Sequence, residues 1–419
     1  MTAFRTSGLL ALPLLSGLAV AQDSDAVEER LDRLEDENEL LRQQLDAVSV
    51  EMEGFKFRDI IPTVGDSVFG LGPGASKIYQ KDQGVSIGGY GEAIYQGYAG
   101  ADGDEFDFTR AILYVGYRFD EKWVFNSEIE IEHADSIFLE FAYLEYLARP
   151  ELNFRAGALL VPMGFINEMH EPTTFRGATR PDLERRIMPS TWRENGLGVV
   201  GDAGDFSYRL YGVNGFSGAG DSGSGAKGFD SNGLRGGRQK GSLTAADDFA
   251  ITGRLDWNGV PGLTLGVSGY HGDAAQDDAN VGDLTTTIYD LHAEYRSGGW
   301  WARALFSEAR VSDTDLLFAA DNTKAVGEEM RGWYAEVGYD LMTVLEPGSA
   351  QQVIPWVRYE TVDTQASLAA GVPEVAGSDT TNVAFGIDWL PIPNIVFKAA
   401  YRDYEDGGDR LEASLGYVF

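Results

Sequence analysis

The chain has 419 residues, no cysteine, and 66 Asp+Glu against 33 Lys+Arg, a formal net charge of −33. That balance excludes a general nucleic-acid binder, because a polyphosphate needs a basic surface, and the missing thiols exclude disulfide scaffolds and Cys-ligated metal centres. Glycine, at 52 residues, is well above its usual share of about 7%, and aromatic residues are abundant (Phe 22, Tyr 19, Trp 8).

Residues 1–21 read as a secretory signal peptide. Arg5 supplies the positive start, Gly8 to Val20 the apolar core, and Ala19-Val20-Ala21 a small-residue cleavage site before Gln22. Beyond this point no run of 18 apolar residues occurs, so no helix of the mature chain reads as a membrane span. Residues 23–53 follow a different pattern. Val27, Leu31, Leu34, Asn38, Leu41, Leu45, Val48 and Met52 are spaced alternately four and three apart. This is a heptad seam, and it predicts a short periplasmic coiled-coil helix. A helix this short is marginal alone in water, so the seam predicts self-association. Asn38 at a core position fixes the register and is best attested in dimers. Residues 54–83 read as a linker.

From 84 to 419 the pattern has a period of two. Leu411, Ala413, Leu415, Tyr417 and Phe419 alternate with Arg410, Glu412, Ser414 and Gly416. Ile129 and Ile131 alternate with Glu128, Glu130 and Glu132; Tyr289, Leu291, Ala293 and Tyr295 alternate with Asp290, His292, Glu294 and Arg296. A period of two predicts β-strands. The segments are long, with aromatics near their ends and charges repeatedly on one face. That is the pattern of a transmembrane barrel, apolar toward lipid and polar toward the lumen. About sixteen antiparallel segments can be counted, from 84–98 to 409–419, with 248–257 and 352–363 among them. The connections test the count: alternate ones are short turns, such as Asp120-Glu121 and Pro150-Glu151, and those after strands 5, 7, 9, 11 and 13 are long and polar. The turn Met342 to Gln351 is longer than the scheme requires. The fold class expected is an all-β transmembrane barrel over 84–419, preceded by the coiled-coil helix.

Gly157 to Asn167 (GALLVPMGFIN), Pro189 to Gly201 (PSTWRENGLGVVG), Tyr208 to Gly215 (YRLYGVNG) and the terminal Gly416-Tyr417-Val418-Phe419 resemble the outer-membrane porins of the phosphate-selective porin O and P group. The resemblance covers essentially the whole chain, with loose motifs. It implies a sixteen-stranded trimeric barrel in the cell outer membrane of a Gram-negative-type bacterium, surrounded by lipid and lipopolysaccharide, giving passive diffusion to small anions such as phosphate or polyphosphate. It also implies that Phe419 is the C-terminal signal read by the barrel-insertion machinery. No cofactor and no metal is expected.

A lumen of sixteen strands selects only where something narrows it. The third outer loop, 161–192, is the candidate, with Gly157, Gly164 and Gly177 allowing bends. Its bases are Arg176, Arg180, Arg185 and Arg186, balanced by Glu168, Glu171, Asp182 and Glu184; the fourth outer loop adds Arg235 and Arg238. These six arginines are the candidate anion contacts, through bidentate guanidinium bonds. A luminal charged wall is expected from Arg110, Arg118, Glu128, Glu130, Glu132, Arg254, Lys398 and Arg402. Residues from 54 on carry 29 bases against 54 acids, which favours the alternative of a general or cation-preferring porin. An envelope tether is a further alternative. The four histidines (133, 170, 271, 292) form no H-E-x-x-H and no G-x-S-x-G is present, so no catalytic residue is expected.

Overall fold

The computed structural model describes residues 24–54, 67–100 and 103–419. The expected signal peptide lies outside them. The chain divides into two compact units, 1–57 and 58–419.

In the first unit, α1 (Ser24–Gly54) is a single 31-residue helix, about 45 Å long at 1.5 Å per residue. Leu31, Leu34, Leu41 and Leu45 of the seam are 50% to 72% exposed on this one chain, and Asn38 is exposed among them.

The second unit is a closed antiparallel barrel of sixteen strands in sequence order. They are β1 (Gly84–Tyr98), β2 (Glu105–Arg118), β3 (Trp123–Glu132), β4 (Ser136–Arg149), β5 (Leu152–Leu160), β6 (Arg193–Ala203), β7 (Phe206–Asn214) and β8 (Phe249–Val260). The other half is β9 (Leu263–Gly272), β10 (Thr286–Ser297), β11 (Trp300–Val311), β12 (Glu329–Tyr339), β13 (Gln352–Ser367), β14 (Asp379–Ile392), β15 (Ile395–Tyr404) and β16 (Arg410–Val418). β1 closes on β16 in a register that runs from Tyr90↔Val418 to Tyr98↔Arg410. The alternation located most boundaries closely. β8 and β13 differ most, running to Val260 and Ser367 instead of 257 and 363. The extra turn of β13 is polar and so breaks the alternation: Gln365 is buried and its Nε2 donates to the Ala325 carbonyl at 2.8 Å.

Inside and outside follow the pleat. On β10, Tyr289, Leu291 and Tyr295 are exposed while Asp290 and His292 between them are buried. On β15, Phe397 faces out while Lys398 and Arg402 are buried. Outward aromatic pairs ring the end that carries the short turns: Trp123–Tyr146 and Trp300–Tyr339, each with centroids 4.9 Å apart, and Trp389–Phe397 at 5.4 Å. The opposite end carries the long connections. The lumen is not hollow. The connection between β5 and β6 lies inside it, and so does the part of the expected linker that precedes β1, where Leu71, Ala75 and Ile78 are 1% to 3% exposed.

The exposed seam of α1 generates the first expectation. A peptide spanning 23–53 should crosslink as an oligomer, and Leu34→Ala with Leu41→Ala should remove the effect. A segment that stays monomeric at millimolar concentration would rule out the coiled coil.

Candidate functional site

The third outer loop is pinned at its base. Val161 N donates to the Trp192 carbonyl at 3.0 Å. The buried Asn167 side chain donates to the carbonyls of Val161 (2.7 Å) and Trp192 (2.8 Å) and accepts from Trp192 N (2.7 Å). One carboxamide thus replaces three ladder bonds and holds both ends of the loop together. Gly164, at φ +65°, makes the inward bend; a Cβ there would lie 2.4 Å from a Glu184 oxygen.

From this base the loop crosses the barrel and is bonded to the far wall by side chains from successive strands. His170 Nε2 meets Glu128 on β3 at 3.0 Å, and Glu168 pairs with Arg209 on β7 at 3.1 Å. Gly164 N donates to Asp290 on β10 at 3.1 Å, and Tyr334 on β12 donates to Glu184 at 2.6 Å. Leu183 N donates to Glu360 on β13 at 2.8 Å, Arg176 pairs with Asp388 on β14 at 3.1 Å, and Lys398 on β15 donates to the Phe175 and Gly177 carbonyls at 3.0 and 2.8 Å. Thr179 donates to Glu412 on β16. Most inward charges near the loop therefore hold it in place. Burying a polar group costs about 1–3 kcal/mol if its partner is lost, so the wall charges and the loop fix one another.

Two cavities beside the loop, each of about 410 Å³, are lined by described residues. The one at the loop end is lined by Arg110, Arg180, Arg185, Arg235, Arg402 and Arg410, with His133, against Glu92, Glu105, Asp107 and Asp182. Six guanidiniums thus face four carboxylates. Arg402 meets Asp182 at 3.3 Å and Thr179 Oγ1 at 2.8 Å. The match is incomplete throughout: Arg110 Nε and Nη1, Arg180 Nη2, Arg402 Nε and Arg410 Nε are buried with no hydrogen-bond acceptor among the described residues, and Glu92 Oε1 is buried with no donor. Arg110 lies 3.6 Å from Glu92 and 3.9 Å from Glu130, too far for good hydrogen bonds. Burial, and then the Arg110 guanidinium, push the Arg180 proton affinity down; burial, then Arg238, Arg180 and Arg185, do the same at Arg235. A guanidinium keeps its proton through the physiological range, so these shifts express burial first and then crowding by like charge, offset in part by Glu92 and Glu130 at Arg180 and by Glu140 at Arg235.

Of the six arginines expected at the constriction, Arg180, Arg185 and Arg235 line this chamber, and Arg176, Arg186 and Arg238 do not. Arg176 is held by Asp388 and lies over Trp301. Arg186 donates to Thr364, Thr380 and the carbonyls of Gly377 and Ser378, and Arg238 to Ser190 and Thr191. Both act as clamps between loops. Of the expected wall, Arg110 and Arg402 line the chamber, Glu128 and Glu130 are buried, and Glu132 is half-buried near His133. Arg118, the last residue of β2, keeps the inward parity of that strand at its turn end and donates to the carbonyls of Tyr79, Asp120 and Glu121. Phe419 exchanges two backbone hydrogen bonds with Gly89 on β1.

The turn-end chamber is lined by Arg209, Arg254 and Arg303 against Glu168, Asp202, Asp256 and Glu294. Its wall holds a cluster that spacing did not reveal. His292 is fully buried between Asp256 (Nε2, 2.7 Å) and Asp290 (Nδ1, 2.6 Å), and Asp256 also pairs with Arg254 at 2.7 Å and Arg209 at 3.2 Å. Asp290 in turn holds the Gly164 bend. The i, i+2 spacing of Asp290 and His292 marked them as inward; only the registers of β8 on β9 and of β9 on β10, meeting at Gly266, bring Asp256 beside His292.

Glu171, in the loop, accepts hydrogen bonds from Gly74 N (2.8 Å) and Ala75 N (3.2 Å). Burial outweighs these bonds and pushes its carboxyl up from 4.5 to about 7. The folded chain therefore holds a proton there that the unfolded chain releases above pH 4.5. The stabilisation is complete below pH 4.5 and lost as pH rises through about 7. Thermal unfolding in detergent should fall between pH 5 and 8, and Glu171→Gln should flatten that slope. An unchanged slope in the variant would remove Glu171 as its source.

No protein-family model matches the chain. Among solved structures, it resembles OmpF of Salmonella typhi in a complex with daunomycin (TM-score 0.54, 12% identity, 82% of this chain and 99% of that one). It also resembles the anion-selective porin of Comamonas acidovorans (0.52, 13%, 80% and 100%) and the trimer form of the Vibrio cholerae outer-membrane protein OmpT (0.50, 10%, 80% and 99%). At these identities the likeness is one of fold: a porin-type barrel. In sequence, the chain is 37% identical over 383 residues to an uncharacterised protein of Aquifex aeolicus, covering 86% of each. A match of that depth over barrel and loop alike places the chain in the same protein family as the Aquifex aeolicus protein.

Proposed function

We propose that the protein is an outer-membrane diffusion channel for small hydrophilic solutes, with a preference for anions set in the loop-end chamber. It is read as a channel and not as an enzyme, because its luminal charges are engaged in holding a loop. The observation that carries the preference is the chamber itself, lined by six guanidiniums against four carboxylates. A narrow passage screens weakly, so a few fixed charges there outweigh many in wide vestibules. Rings of Arg select anions, and a planar guanidinium fits an oxyanion bidentately. The sequence resemblance to phosphate-selective porins favours phosphate or polyphosphate as solute. The barrel exterior suits outer-membrane lipid, and the outer loops suit lipopolysaccharide. The α1 seam supports a homo-oligomer, a trimer by the resemblance. Residues 1–21 would export the chain, and Phe419 would present it to the insertion machinery.

The competing reading is a cation-preferring porin, which the acidic excess favours. Within the barrel, however, Glu128 is bonded to His170, Glu140 to Arg193 and Glu145 to Arg155. Each of those carboxylates has one oxygen engaged by a base of the barrel interior, and Glu128 Oε2 and Glu140 Oε2 have no donor among the described residues.

The test is the reversal potential of the purified channel in a planar bilayer under a KCl gradient, with and without phosphate. The parent should prefer chloride, and phosphate should block the current. Changing Arg110, Arg180, Arg235 and Arg410 to Ala should move the potential toward cations. It should also weaken the block by about tenfold or more, the equivalent of one charge-assisted hydrogen bond at ~1.5 kcal/mol. A variant that conducts and selects like the parent would move the selectivity elsewhere.

A further inference from the structure

The segment before β1 is built into the barrel. Residues 75–80 form one short 3₁₀ helix, in which Ala75, Ser76, Lys77 and Ile78 are 0% to 3% exposed. The segment is folded on itself by Val68 N→Ser76 Oγ at 2.9 Å and Ser76 N→Gly72 O at 3.0 Å. It is then fastened to the wall. Asn126 on β3 donates to the Ala75 carbonyl at 3.0 Å, and the Tyr79 hydroxyl meets Tyr143 at 3.1 Å, Arg155 at 3.3 Å and Glu145. The wall is shaped to receive it. Gly88 and Gly116 are inward positions of β1 and β2, and a Cβ at either would lie 3.0 Å from Lys77 Cδ or 2.8 Å from Ile78 Cγ1. On its other side the segment is capped by Glu171 of the inner loop.

Its place in the lumen complements that of the loop. The loop is bonded mainly to β10 through β16, whereas this segment is fastened to β3, β4 and β5 and packs on β1 and β2. Ser67, Val68, Phe69 and Gly70 form part of the lining of the turn-end chamber. A sixteen-stranded barrel without such filling leaves a wide aqueous channel. We propose that residues 67–80 are an inner strap that sets the size limit at the turn end of the pore, held in position by Glu171, so that solutes meet a charge filter at the loop end and a size filter at the other. This rests on the channel reading given above.

The experiment uses the full-length protein in planar bilayers and in liposomes swelling with sugars of graded size. Leu71→Asp with Ile78→Asp places two carboxylates in the buried contact and should expel the strap. Single-channel conductance should then rise about twofold or more, and larger sugars should enter. A folded, heat-modifiable variant with the conductance and size limit of the parent overturns the strap, while the ion preference of the parent still tests the charge filter separately. A parent that forms no channel overturns both. Where the charged variant does not assemble, the native arrangement is read directly in the cysteine-free chain. Ser76→Cys, at a position 0% exposed, should react with a bulky water-soluble maleimide about 100-fold more slowly than Ser67→Cys. Equal rates at the two positions overturn the proposal.

Discussion

Hydrocarbon offers no partner to a peptide N–H or C=O, so a chain crossing it by strands must close into a barrel, and closure decides everything within. The pairing of β1 with β16 removes the last free edge. It also turns one face of every strand inward. Each inward charge then leaves bulk water for an interior where an unmatched charge is expensive. The barrel resolves this by drawing its longest early connection inside and bonding it to the wall. Arg358 meets Glu336 on the neighbouring strand and donates to the Arg176 carbonyl of the loop at 2.9 Å. Wall and loop are thus solutions to each other's unsatisfied groups.

The same constraint explains why formal charge is a poor guide to the lumen. Much of the acidic excess sits on α1 and on exposed connections, in water. Inside, acids and bases alternate around the ring and are largely matched, as in Arg155–Glu145 at 3.2 Å and Arg193–Glu140 at 2.8 Å. Replacing either partner of such a pair would strand the other, so the pairs rigidify the interior more than they add net stability. At the loop end the balance tips toward bases: Arg110, Arg180, Arg235 and Arg410, from β2, the two inner loops and β16, meet in a chamber lined by six guanidiniums and four carboxylates.

The strands were legible because a period of two is a local property, as with Ile129 and Ile131 between Glu128 and Glu130. The inward loop was legible in place and length. Its contacts were not. Arg176 and Asp388 are 212 residues apart in the chain, and only closure and the crossing of the loop bring them together, so sequence could name Arg176 as a loop base without showing that it is already matched. The strap was missed for a different reason. Phe69 to Gly74 has neither period, and its glycines read equally as a linker; their meaning lies in the Arg209 and Glu171 side chains that pack against them.

The motifs behind the porin resemblance take on a physical meaning in this light. GALLVPMGFIN ends at Asn167 and PSTWREN contains Trp192, and these two residues tie the base of the inner loop. The segments that carry the likeness are thus the closure and inward bend of the loop, which any barrel with a folded-in third connection requires. The chamber arginines lie outside them, on β2, on the two inner loops and on β16. The likeness consequently speaks for the fold of the inner loop, while the chamber charge on which the proposed anion preference rests comes from Arg110, Arg180, Arg235 and Arg410.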